Sequence, residues 1–145
     1  MREYSATTMI NASPEVIWKI LTDGSKYPEW EPDTHRIEGT IAAGEKMKVF
    51  ARRNPKFAFQ VEVIEFEPWK KMVWKTGVVL GLIRGVRSFT LVEQEDKVVK
   101  YTLREQLSGP LLFLFARQIP DFDSIFAASA AALKERAEGA QDGAG

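Results

Sequence analysis

The stretch Arg84-Gly85-Val86-Arg87-Ser88-Phe89-Thr90-Leu91-Val92-Glu93 and the later Lys97-Val98-Val99-Lys100-Tyr101-Thr102-Leu103-Arg104-Glu105-Gln106-Leu107 decide the architecture of this chain. Each alternates apolar and polar side chains with period two, as a strand with one buried face does. Glu95-Asp96 between them is a turn signal, far shorter than the roughly dozen residues a parallel crossover needs, so the two form an antiparallel hairpin. A turn near Asp96 sets a register in which partner positions sum to about 192. Leu91 then faces Tyr101, Phe89 faces Leu103 and Arg87 faces Glu105, all on one side. Lys100, Thr102 and Arg104 share the other side, so the first face looks inward.

The same period runs upstream, over residues 34–40, 46–53, 57–67 and 71–77. Turn residues separate these strands at Ala43-Gly44, Asn54-Pro55 and Pro68-Trp69. Alternation turns Met47, Val49 and Ala51 inward, then Phe57, Phe59, Val61 and Val63, then Met72, Trp74 and Thr76. A further strand covers residues 3–11. Ser13-Pro14-Glu15 opens a helix, with Ser13 as N-cap and Pro14 at the first helical position. Val16, Ile17, Ile20 and Leu21 give that helix its apolar stripe. Pro28 and Pro32 leave room for only one short second helix. Residues 121–138 form the last helix, with Phe122, Ile125, Phe126, Ser129, Leu133 and Ala137 on one side. Pro120 breaks it from residues 111–118. The order is β-α-α-β-β-β-β-β-β-α: an α+β chain with seven antiparallel strands and its helices on one face. Residues 1–138 read as one domain and residues 139–145 as a short disordered tail.

Composition removes whole classes of chemistry. Among 145 residues, 45% hydrophobic, 20 Lys and Arg balance 20 Asp and Glu. No bulk field attracts nucleic acid or an anionic membrane. The absence of cysteine excludes disulfides, thiolate nucleophiles and Cys-ligated metals. His35 is the single histidine, and no set of carboxylates converges in the sequence, so neither a metal site nor a cofactor is expected. Met1-Arg2-Glu3-Tyr4 enters a strand without a charged and apolar leader, and a cytoplasmic protein is the expectation. The apolar runs at residues 78–83 and 111–116 are too short to span a bilayer.

Several motifs resemble the START-like superfamily, also called SRPBCC or Bet v 1-like. They are Ile10-Asn11-Ala12-Ser13-Pro14-Glu15-Val16-Ile17-Trp18, then Tyr27-Pro28-Glu29-Trp30-Glu31-Pro32, Glu67-Pro68 with Val73-Trp74, Arg87-Ser88-Phe89-Thr90-Leu91, Glu105-Gln106-Leu107-Ser108-Gly109, and Ala132-Leu133-Lys134-Glu135-Arg136-Ala137-Glu138. They keep their expected order over nearly the whole chain, and their flavour is that of the polyketide cyclase/dehydrase branch. The resemblance implies a helix-grip fold, a curved sheet wrapped around a long C-terminal helix, and an internal pocket for a hydrophobic molecule. It does not choose among functions, because the superfamily includes lipid carriers, hormone receptors, cyclases and chaperone activators.

Alternating turns put the connections after residues 53, 77 and 107 at one end of the sheet. The resemblance brings Trp30-Glu31-Pro32 to the same end, which is taken as the pocket mouth. Val78, Val79, Leu80, Leu82 and Ile83 sit in a glycine-rich lip there. Ala127-Ala128-Ser129-Ala130-Ala131-Ala132 places small side chains opposite the sheet and leaves volume for a ligand; close helix–sheet packing is the plain alternative. Expected wall residues are Trp30, Val49, Phe57, Phe59, Trp74, Phe89, Tyr101, Phe122 and Phe126, with Arg87 as polar anchor. Arg87, Glu105 and Tyr101 are the candidates for chemistry, against a plain structural ion pair and a plain buried phenol. Thr76 and Ser129 add hydroxyls. His35, at a strand end, reads as a surface residue. Leu111-Leu112-Phe113-Leu114-Phe115 seals the core, packs in a homodimer, or touches a membrane together with residues 78–83. Arg52, Arg53 and Lys56 form a small basic rim at that end, either simply solvated or attractive to an anionic head group. The leading function is non-catalytic binding or transport of a lipid, isoprenoid or aromatic polyketide. The alternatives are a cyclase or dehydratase using the same cavity, and a protein-interaction module.

Overall fold

The computed structural model describes residues 1–144. Seven strands form one antiparallel sheet: β1 Arg2–Ile10, β2 Thr34–Glu38, β3 Lys46–Ala51, β4 Asn54–Glu67, β5 Lys71–Val78, β6 Ile83–Glu93 and β7 Val99–Ser108. Their spatial order is β1-β7-β6-β5-β4-β3-β2, so β1 closes one edge against the last strand and β2 forms the other. The hairpin β6–β7 has the expected register, with Leu91 opposite Tyr101, Phe89 opposite Leu103 and Arg87 opposite Glu105.

Three helices complete the α+β helix-grip arrangement: α1 Pro14–Thr22, the single turn α2 Tyr27–Trp30, and α3 Phe122–Ala144. Ser13 caps α1, its hydroxyl accepting from the Val16 amide at 3.2 Å, and Pro14 occupies the first turn. The buried face of α1, Ile17, Trp18 and Leu21, plugs one end of the concave sheet, where Trp18 meets the edge of Phe66 at 5.2 Å. Leu133 and Ala137 of α3 fill the same end with Ile10 and Val99, all four at 0% exposure. Side chains so enclosed contribute about 1.5–3 kcal/mol each for the larger ones.

Two expectations need correction. Residues 139–144 continue α3 instead of forming a disordered tail; Gly145 lies outside the described residues. Side chains of the last turns anchor this extension: Gln141 accepts from the Ser13 amide at 3.0 Å and Glu138 from the Asn11 amide at 2.9 Å. Further back on α3, Asp123 accepts from the Ser5 amide at 3.3 Å. The alanine run of α3 also faces differently than expected. Ala127, Ala128 and Ala131 are exposed, Ala130 is buried, and only Ser129 of the run reaches the cavity.

Candidate functional site

At the end of the sheet away from α1, the fold leaves a cavity of about 490 Å³. Helix α1 does not reach it; the first turns of α3 do, through Phe122, Ile125, Phe126 and Ser129. The chain crosses here as α2 and the turn Glu31–Asp33, with Phe115 and Gln118 of the 3₁₀ segment Leu112–Gln118 also in the lining. The inner wall is aromatic: Tyr27 lies 4.9 Å from Trp30 and 6.3 Å from Trp74, and Trp74 lies 4.6 Å from Phe89. Trp30, Val49, Phe59, Trp74, Phe89, Tyr101, Phe122 and Phe126 all line the space, with Arg87 and Glu105. Phe57 does not. The β3–β4 pairing shifts between Val49 and Ala51, and Phe57 projects beyond the wall, 44% exposed, against the edge of Phe59 at 4.8 Å. His35 is exposed on β2, and Trp69 is exposed in the β4–β5 turn.

Polar groups gather on one cross-sheet row, in which Val63, Trp74, Arg87, Glu105 and Tyr4 are successive partners. The Arg87 guanidinium reaches the Glu105 carboxylate at 3.4 Å and stacks over the Phe126 ring at 4.9 Å. The Glu105 side chain is only 6% exposed, and that of Arg87 is 26% exposed. Burial works to lower the Arg87 pKa, but Glu105, with Glu31 and Asp33 farther off, outweighs it and holds the pKa above its ordinary value. Arg87 is therefore a fixed positive charge. Burial likewise pushes the phenols of Tyr27 and Tyr101 up, and the negative field of Glu31 adds to it. Both stay protonated and able to donate.

Glu31 is the residue that sequence reasoning missed. It is 6% exposed, accepts the Ser129 hydroxyl from α3, and accepts the Asp33 amide at 2.6 Å. It thus ties the mouth turn to the long helix. The sequence offered one signal, an acid between an aromatic residue and proline; its partner lies 98 positions away. Asp33 pairs with Arg53, whose guanidinium sits over the Phe122 ring at 5.3 Å. Thr76 lines the cavity but its hydroxyl donates to the Gln60 carbonyl at 2.8 Å.

Among the described residues three buried donors have no partner: the indole nitrogens of Trp30 and Trp74, and Nε of Arg87. All three belong to cavity-lining residues. A buried donor left without an acceptor costs about 1–3 kcal/mol, so these groups favour a molecule that brings an oxygen to them. Among the described residues no three His, Asp or Glu side chains converge as metal ligands, and no helix is long and apolar enough to cross a membrane.

Residues 1–138 match the family described as polyketide cyclase / dehydrase and lipid transport. The chain belongs to that family. No curated protein matches it. Among solved structures, this family member is similar to a hypothetical protein from Helicobacter pylori (TM-score 0.78, 16% identity, covering 94% of this chain and 88% of that one). It is also similar to a START superfamily protein from Mycobacterium smegmatis (0.66, 14%, 99% of each chain). A third is the Aha1 dimer from Colwellia psychrerythraea (0.71, 22%, 95% of this chain and 97% of that one). At these identities the likeness establishes the fold alone.

Proposed function

We propose that this chain binds a hydrophobic small molecule in its cavity without transforming it, with Arg87 holding an oxygen-bearing end of the ligand. The observation that supports this most is the pairing of an aromatic wall with unpartnered donors of Trp30, Trp74 and Arg87. An apolar body satisfies the wall, and a carbonyl or carboxylate oxygen accepts what the protein leaves unmet. A space of about 490 Å³ suits a molecule the size of a small lipid, an isoprenoid or an aromatic polyketide. Family membership supports the same reading, since its description includes lipid transport.

Native mass spectrometry of protein purified gently from its own host, then denaturing extraction, tests the proposal. A co-purifying apolar compound, displaced on Arg87→Ala or Trp74→Ala substitution, is the expected result. A consistently ligand-free protein that takes up no apolar probe would sink it. A second reading, a cyclase or dehydratase, draws on the two buried carboxylates Glu31 and Glu105 beside fixed Arg87 and protonated Tyr101. There Arg87 polarises a carbonyl while a carboxylate moves a proton. Turnover of a reactive polyketide chain that Glu105→Gln abolishes would favour it.

A further inference from the structure

The cavity mouth carries the most exposed apolar surface of the molecule. Leu80 is 100% exposed, Phe113 75%, Leu114 58%, Val79 42%, Leu82 39% and Phe115 38%. They come from two segments that form one surface: the Leu111 amide donates to the Leu82 carbonyl at 3.3 Å. Gly109, at φ +123°, lies so close that a Cβ there would sit 2.2 Å from the same oxygen. The display is held at a conformational cost. Val79 and Leu80 occupy the left-handed region, at φ 52° and 56°, where glycine or asparagine is the usual choice. Core packing does not account for this, because Leu80 touches no interior.

Charge singles out the partner. The rim segments around this surface bring Arg52, Arg53, Lys56, Arg84 and Arg117. The acids near them are Asp33, which pairs with Arg53, and Asp121, which accepts from Ser124. No Asp or Glu occurs between Ala51 and Val61, between Trp74 and Val92, or between Gln106 and Pro120. Lys56, Arg84 and Arg117 are exposed and pair with no carboxylate among the described residues. The overall charge is zero, so this is a local cationic end on a neutral molecule. A second copy docked face to face would set basic rim against basic rim.

We infer that the mouth is a docking surface for an anionic lipid bilayer, with Leu80 and Phe113 entering the interface and Lys56, Arg84 and Arg117 facing the head groups. Docking there aims the cavity opening at the membrane. The inference goes beyond the proposed ligand binding, and it is read out without any cavity ligand, so either can fail alone.

The test is flotation of the full chain with vesicles of phosphatidylcholine, with and without phosphatidylglycerol. Wild type is expected to float with the anionic vesicles and to partition about tenfold less on pure phosphatidylcholine or at high salt. Leu80→Asp and Phe113→Asp, neither of which lines the cavity, should each lower partitioning by about tenfold or more with melting temperature unchanged. Arg84→Glu with Arg117→Glu should do the same on anionic vesicles only. Absence of flotation by wild type overturns the inference, as does equal flotation of the aspartate variants. Self-association in sedimentation that Leu80→Asp abolishes, without vesicle binding, would reassign the surface to a protein interface.

Discussion

The two ends of the sheet put their apolar side chains to opposite use. At the α1 end, Ile10, Ile17, Leu21, Val99 and Leu133 are fully enclosed, and a helix of nine residues fills the concavity. At the other end, the first turns of α3, a single-turn helix and two loops surround a cavity, and large apolar side chains face outward. The difference teaches where stability and function reside. One end is packed to exclude water; the other keeps charge, unmet donors and space at the expense of packing.

Truncation at the filled end should have the largest effect. Leu133→Ala, opening a void where no space exists, is expected to cost about 2–5 kcal/mol in denaturant unfolding. Leu107→Ala, lining the cavity, should cost less than half as much; equal losses would break the contrast. Next comes Arg87→Met, which leaves Glu105 buried without its partner and should cost about 1–3 kcal/mol, less than a fully buried pair because Arg87 meets the cavity. Adding Glu105→Gln should recover most of that loss in a double-mutant cycle. Gly85→Ala sharpens the picture further. Its Cβ would meet Thr76 at 3.2 Å, Leu107 at 3.3 Å and Glu105 at 3.4 Å, so about 1 kcal/mol or less of stability is expected to go, with a larger loss of ligand uptake.

The smallest effect concerns acid. Glu138 is held below its ordinary 4.5 by the Asn11 amide first and then by Lys134. A depressed carboxylate pKa contributes stability above the unfolded value and loses it as pH falls through the folded one. Unfolding midpoints should therefore fall as pH drops below about 4.5, and Glu138→Gln should flatten that slope slightly.

What could be read in the sequence followed from local periodicity. The β6–β7 register, the α1 cap and the inward faces of Val49, Phe59, Trp74 and Phe89 are consequences of period two, a proline and a short turn centred on Asp96. Phe57 escaped because a register shift in β3–β4 is invisible to alternation. The alanine run misled because composition says nothing of helix rotation; Ala127, Ala128 and Ala131 turned outward. Glu31 escaped for a different reason: its burial is meaningful only once α3 brings Ser129 to it. The continuation of α3 past residue 138 likewise depends on the distant amides of Asn11 and Ser13.

Those same amide contacts have a second consequence. An open sheet has two free borders, each a template for another chain's strand. One border, β2, is only five residues long and carries exposed His35, Arg36 and Glu38. The other, β1, is nine residues long, but Asp123 occupies the amide of Ser5 within it, and Glu138 that of Asn11 just past its end, with carboxylates of the molecule's own helix. The long helix therefore acts as a built-in guard against polymerisation, and neutralising those two acids would leave β1 open to a neighbouring chain.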